Sequence, residues 1–328
     1  MLIRFFNQSY VIHFIAFLML ATALWIPSFV MPVTDYDMEK LSPIYNLIIA
    51  NIKSPIILSV FAFVLLFVQS IYLNAIITDH ELGQRNSSFA SVFYFLIMSM
   101  HYGMLKFHPI LLAGFFLIKA INSMLNLYMA EDQRRACFKI GFFIGISSLC
   151  YFPSIYFMVL VIILLLLYSI ATWRKMIIPL IGLMIPYIFL ATWYFVTDQL
   201  EYAIADYQLV SQIHGINFSK FSILELLIGI FGSLFLLSII LGLFFRIPEK
   251  SISVRKKASA FVYILIISIL ILFLRSEFTT QFMIIALPLT ALTAVAIADK
   301  KKMFWTDLLF SISTILILIN NFIYILNA

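Results

Sequence analysis

The stretch Met31–Pro55, MPVTDYDMEKLSPIYNLIIANIKSP, separates two apolar runs, and its reading sets how the chain is organised. It holds two carboxylates, Asp35 and Asp37, and then Glu39 and Lys40. Ser42 is a good N-cap and Pro43 suits the first position of a helix. Leu41, Tyr45, Ile48, Ile49 and Ile52 share one helical face, while Glu39, Ser42, Asn46 and Lys53 share another. That pattern predicts a helix lying on a membrane surface, ended by Pro55 where the next apolar run begins. An acidic pair held at a bilayer surface suits an active site for a lipid-linked substrate. An ordinary connecting loop would carry the same residues.

Outward from this stretch, the composition excludes a soluble globular chain. Hydrophobic residues make up 64% of the sequence, charged residues 11%, and the mean hydropathy is +1.08. Apolar runs recur from end to end, and Phe alone contributes 34 residues. Measured against the ~20 residues needed to cross a bilayer, these runs give about eleven spans. They cover approximately 8–30, 55–77, 88–104, 109–129, 140–152, 153–172, 177–196, 223–245, 259–275, 281–298 and 306–327. The fifth is short and meets the sixth at Pro153, so that pair reads as a tilted hairpin or a re-entrant segment. The expectation is an all-α polytopic transmembrane bundle, residues 1–328 forming one integral membrane domain. No small-residue cleavage site follows the first run, so it reads as a retained span rather than a removed signal peptide.

Cations set the orientation. With the N-terminus cytoplasmic, the inner side receives Arg4, Arg85, Arg134, Arg135, Lys139, Arg174, Lys175, Arg246, Lys250, Arg255, Lys256, Lys257 and Lys300 to Lys302. The outer side receives Lys40, Lys53, Lys106, Lys220 and Arg275, and Lys119 lies within a span. Fifteen against five is the positive-inside bias, and it accounts for the net charge of +6 without an anionic or nucleic-acid partner. The first periplasmic loop, 31–55, therefore carries the aspartates and the surface helix, and 197–222 is the second and larger one.

Several polar residues could carry chemistry. Asp35 or Asp37 could deprotonate an acceptor hydroxyl, or hold a divalent cation (Mg or Mn) that a phosphate-bearing donor also binds. Arg275, beside Glu277, ends an apolar run on the cation-poor side and suits a lipid phosphate, or headgroup snorkelling. Lys106 and His108 could add phosphate contacts or a proton relay. Lys119, Asn122, Ser123 and Asn126 recur at i, i+3, i+4 and i+7 and form one polar stripe inside the fourth span. Charge at that depth costs at least ~2.5 kcal/mol, so the stripe predicts a wet cavity or a hydrogen-bond network, with Glu225 as a candidate partner for Lys119. The histidines His13, His80, His101, His108 and His214 are scattered over a span and both faces, which argues against a histidine-bound iron. Cys137 and Cys150, roughly 20 Å apart on one helix, cannot bridge. Gly141 and Gly145 form a GxxxG pair read as helix packing.

Three stretches carry a family resemblance: MLIRFFNQSYVIHFIAFLML at the N-terminus, SLCYFPSIYFMVLVIILLLLYSIATWRKMIIPLIGLMIPYIFLATWYFVTD in the centre, and SEFTTQFMIIALPLTALTAVAIA late in the chain. Together they resemble an uncharacterised family of multi-span membrane proteins of Bacteroidota whose members often carry a carotene-monooxygenase label. The scattered histidines give that label no support. More loosely, the layout is similar to the GT-C class of multi-span glycosyltransferases, which use polyprenyl-phosphate-linked donors. That class places an acidic catalytic residue in the first outer loop, ahead of surface helices, and Asp35 and Asp37 before Ser42–Lys53 match that place. The fifth and sixth spans, with Ser147, Ser148, Tyr151 and Pro153, resemble the centre of the fold. Arg275 ahead of Phe282–Pro288 resembles its late phosphate-binding basic residue. The chain departs from the class in its short first outer loop and in having no large outer domain after the spans.

The resemblance implies an enzyme of a bacterial inner membrane. It would move a sugar from a polyprenyl-phosphate-linked donor to an envelope glycan, lipid or protein acceptor at the periplasmic face. A non-catalytic subunit or assembly factor with an envelope protein partner is the first alternative. A lipid or small-molecule transporter or flippase, motivated by Lys119 and Glu225, is the second.

Overall fold

The fold is seen in a computed structural model that describes residues 2–8, 11–32, 42–85, 87–198, 223–246, 250–272, 278–298 and 304–327. Among them the chain forms thirteen α-helices and no strand. A short α1 (Leu2–Phe6) precedes α2 (Val11–Val30), α3 (Pro43–Asn51) and α4 (Pro55–Asp79). Next come α5 (Phe89–Met98), α6 (Pro109–Asn126), α7 (Gln133–Cys150), α8 (Phe157–Leu167) and α9 (Trp173–Val196). The last four are α10 (Ile223–Arg246), α11 (Ile252–Leu272), α12 (Phe278–Ile297) and α13 (Phe304–Asn327).

Helix is the form this composition requires, because an apolar chain in lipid must satisfy its backbone groups internally. Among the described residues five helices are long and apolar enough to cross a membrane: α2, α4, α6, α9 and the Phe304–Ile323 part of α13. Shorter apolar helices occupy Phe89–Met98, Phe152–Leu167, Leu224–Ile240 and Phe282–Ile297. The apolar side chains left exposed on α2, α4 and α9, among them Val11, Ile57, Phe189 and Phe195, are those a hydrocarbon solvent would cover.

Contacts sort the connections into two ends, called inner and outer here after the orientation expected from the cations. At the inner end Phe6 O accepts from Ser88 N (2.9 Å), Asp307 Oδ1 accepts from Ile3 N (2.9 Å), and Lys175 Nζ donates to Gln133 Oε1 (2.5 Å). At the outer end Met31 O accepts from the Tyr102 hydroxyl (2.5 Å), and Asn321 Nδ2 donates to Ser99 O (3.0 Å).

Two expected segments differ in detail. The fifth, expected over 140–152, is a helix of 18 residues that starts back at Gln133. Asp132 caps it by accepting from Arg134 N and Arg135 N, so polar capping extends the helix beyond the apolar run. With α8 it makes a hairpin that turns through the 3₁₀ segment Phe152–Tyr156. The third, expected over 88–104, is helical for only ten residues. All ten are buried, which makes α5 a central element, and the helix stops at Ser99. Neighbours hold this end: Asn321 Nδ2 donates to the backbone Ser99 O, and Trp25 Nε1 donates to the Ser99 hydroxyl (3.0 Å). Beside α5, buried Gln69 donates to Leu111 O (2.7 Å) and accepts from the Tyr94 hydroxyl (3.1 Å).

The GxxxG expectation has a clear structural counterpart. A Cβ on Gly141 would stand 1.9 Å from Pro179 O of α9, and one on Gly145 would stand 2.8 Å from Leu183 O. From the facing side, a Cβ on Gly182 would stand 2.5 Å from Phe138 O. Backbones this close leave room for hydrogen only. Both cysteines are free thiols buried on α7.

Candidate functional site

The break after α5 creates a polar connection, residues 99–108, on which the outer end converges. Its sequence, SMHYGMLKFH, supplies the helix-breaking polarity and one glycine inside an apolar context. Tyr102–Met104 forms a 3₁₀ turn capped by His101, whose Nδ1 accepts from Gly103 N (2.9 Å). His108 closes the other side, its Nε2 lying 3.1 Å from Gly103 O. Gly103 is thus gripped through both backbone groups by two imidazoles.

Three other parts of the chain fasten onto this connection. From the end of α2, Met31 O accepts from Tyr102 and Ser28 Oγ donates to Leu105 O (2.6 Å). From α3, the Tyr45 hydroxyl reaches Phe107 O (3.4 Å), and its ring stacks on Phe107 with centroids 5.4 Å apart. From the first turn of α10, Glu225 Oε1 lies 2.6 Å from His101 Nε2. Because His101 Nδ1 accepts from Gly103 N, Nε2 carries the proton and donates to the carboxylate. The pair is part-exposed, His101 at 36% and Glu225 at 21% of the side chain.

Next to this polar cluster lies an apolar slot of about 60 Å³ between α5, α10, α12 and α13. Phe93, Ile97, Phe235 and Phe282 line it, together with Met100, beside His101, and Ile228, one turn from Glu225. The outer end therefore presents a polar head over an apolar slot.

The predicted site residues distribute unevenly over this frame. Asp35 and Asp37 lie outside the described residues, but both flanks of their stretch, Met31 and Tyr45, are bound to the 99–108 connection. Arg275 and Glu277 also lie outside the described residues, between the end of α11 and the start of α12. The helix α12 packs against the Tyr102–Met104 turn. Lys106 is partly exposed on the connection itself. His108 is 6% exposed, and burial, with Lys106 nearby, pushes its pKa down to about 4. Its ring lies within the loop, Nε2 against Gly103 O.

The stretch after the aspartates is helical over Pro43–Asn51, with Ser42 at the N-cap position. Tyr45 is its buried contact, Ile48, Ile49 and Ile52 pack against the core, and Leu47 is 51% exposed.

The polar stripe on α6 resolves into local partners near the inner end. Asn122 Oδ1 lies 3.1 Å from His80 Nε2, and Asn122 Nδ2 donates to the Tyr72 hydroxyl (3.3 Å). Asn126 donates back to Asn122 O (3.0 Å), and Ser123 Oγ to Lys119 O (3.1 Å). Lys119 Nζ stands 4.4 Å from the Phe115 ring centroid and 5.8 Å from that of Phe143. Glu225 is therefore not the partner of Lys119, because its carboxylate reaches His101 at the outer end.

The His101–Glu225 pair escaped sequence reasoning, since nothing in either local context names the other. The available signal was the polar SMHYG run inside an expected span. For a divalent cation, the cluster around residues 99–108 offers the Glu225 carboxylate and an imidazole already bonded through both nitrogens. Among the described residues no three His, Cys, Asp or Glu side chains gather to hold a metal.

Compared with family models, with curated proteins and with solved structures, the chain matches none of them.

Proposed function

We propose that this is a multi-pass enzyme of a bacterial inner membrane, with about eleven spans in a GT-C-like arrangement and its working face at the periplasmic, outer end. It transfers a sugar from a polyprenyl-phosphate-linked donor to an envelope glycan, lipid or protein. The observation that carries this reading is the convergence on residues 99–108. That connection binds both flanks of the acidic stretch and the start of α10, and it borders an apolar slot. A substrate with a polar, phosphate-bearing head and a hydrocarbon tail fits such a pairing of surfaces.

In this reading Asp35 or Asp37 acts as base or as ligand to Mg or Mn. Lys106 and Arg275 hold the donor phosphate, and α3 keeps the acidic stretch at the bilayer surface. The test compares polyprenyl-linked sugars and envelope glycans between a strain lacking the gene and one carrying Asp35→Asn with Asp37→Asn. Loss of the same glycan and accumulation of the same lipid-linked donor in both supports the proposal. Unchanged glycans in the double variant remove it.

The transport reading drew on Lys119 and Glu225, and their separate partners weaken its motive. A non-catalytic subunit would instead co-purify with a stoichiometric envelope partner.

A further inference from the structure

We propose that a groove between α1 and α13, at the inner end, holds one anionic phospholipid, its phosphate on Arg4 and one acyl chain along α13. The inference stands apart from the transfer reading, because the groove lies at the opposite end from residues 99–108. Its volume is about 270 Å³, and Arg4 lines it together with one face of α13. Two anchors fix α1 there. Asp307 Oδ1 accepts from Ile3 N (2.9 Å), and Phe6 O accepts from Ser88 N (2.9 Å). Arg4 stands between the two anchored residues and is itself exposed. Asp307 also lines the groove, but it is only 3% exposed and is engaged with the start of α1. The accessible charge is therefore that of Arg4.

Along α13 the lining is mostly apolar. Phe304, Leu308, Ile312 and Ile315 recur at i, i+4, i+8 and i+11, so they share one helical face. They cover roughly 16 Å of helix axis, against the ~15 Å that one leaflet contributes to the hydrocarbon core. Trp305, 73% exposed, stands at the start of α13, and indoles collect at the headgroup level. In the sequence Lys300 to Lys302 directly precede α13, and such a basic run raises the local concentration of anionic lipid.

Charge selects this occupant over its rivals. A guanidinium presents a planar fork that phosphate oxygens accept in pairs. A zwitterionic lipid fills the apolar part equally well, but its head brings a cation of its own towards Arg4. A second copy of the chain in the same orientation would bring its own Arg4 to the same depth, like charge against like. Preference between two heads on identical tails is thus the signature of the site.

The probes are dioleoyl phosphatidylglycerol and dioleoyl phosphatidylcholine, each titrated into the purified full chain in detergent. Bound lipid is counted by mass spectrometry of the intact protein. One phosphatidylglycerol is expected to be retained at about 10-fold lower concentration than phosphatidylcholine. Arg4→Gln removes that preference and leaves the weaker retention of both lipids. Ile312→Trp fills the groove and removes the preference by a different route.

Equal retention of both lipids by the wild type overturns the assignment. So does a preference that survives Ile312→Trp or Arg4→Gln, which would be general attraction to a basic surface. A species of twice the chain mass that becomes single in Ile312→Trp would give the groove to a second copy and likewise overturn it. Should Arg4→Gln fail to accumulate, Ile312→Trp decides by the same comparison. Unchanged glycans in the double aspartate variant would remove the transfer reading and leave this result standing.

Discussion

The glycines of α7 and α9 and those of α10 serve opposite ends. Gly141, Gly145 and Gly182 bring two backbones together so closely that an added Cβ would meet carbonyl oxygens at 1.9 to 2.8 Å. Gly229 and Gly232 of α10 have nothing within 4 Å of the same construction, and Gly232 lines the apolar slot. One region uses glycine to close a contact, the other to leave a space. The closed region carries the fold, and the open one borders the polar cluster at the outer end.

The sharpest way to break this contrast is Gly141→Ala. Its methyl group would collide with backbone atoms of Pro179, which have no rotamer to escape into. A loss of about 3 kcal/mol or more is expected, read as lower yield and earlier thermal unfolding in detergent. Gly182→Ala follows with about 2 kcal/mol, because Phe138 O stands 2.5 Å away. An unperturbed Gly141→Ala would mean that α7 and α9 do not touch through their backbones.

Acid should act on the outer connection. His108 is neutral when folded, with its pKa pushed down to about 4 from the ordinary 6.5 by burial. Between those values the unfolded chain binds a proton that the folded chain refuses. Stability is therefore complete above pH 6.5 and falls as pH drops towards 4, by on the order of 3 kcal/mol at most. Unfolding followed across pH 7 to 4, with His108→Gln flattening the profile, checks this. A histidine exposed to solvent would show no such slope.

Smaller effects sharpen the comparison. Trp25→Phe removes the donor to Ser99 Oγ at the break after α5, and about 1 kcal/mol of stability should go with it. Gly232→Ala should be tolerated, and it should add roughly 0.5–1 kcal/mol through helix propensity alone. If that variant also slows donor turnover while stabilising the fold, the open space is functional.

Much of this architecture was legible in the chain. Apolar runs placed the helices, Pro43 and Pro55 marked the starts of α3 and α4, and the spacing of Gly141 and Gly145 announced a tight helix contact. These signals are local, so one sequence suffices to read them. The break inside the third segment was less visible because Met100, Tyr102 and Met104 keep the run apolar while Ser99, His101 and Gly103 end the helix. For Lys119 the stripe named the face but not what that face meets. It meets Phe115 and Phe143 rather than Glu225. The His101–Glu225 pair joins elements far apart in the chain, and only tertiary packing brings them together. Asp35, Asp37, Arg275 and Glu277 remain sequence assignments, outside the described residues.

The claim that the outer end does the work is tested most directly by rescue of a deletion strain, scored by its polyprenyl-linked sugars. Asp35→Asn with Asp37→Asn should leave the lipid-linked donor accumulated, whereas Lys119→Met should restore the wild-type pattern. Restoration by the double aspartate variant, with failure of Lys119→Met, would contradict the account and move the working site to the stripe on α6.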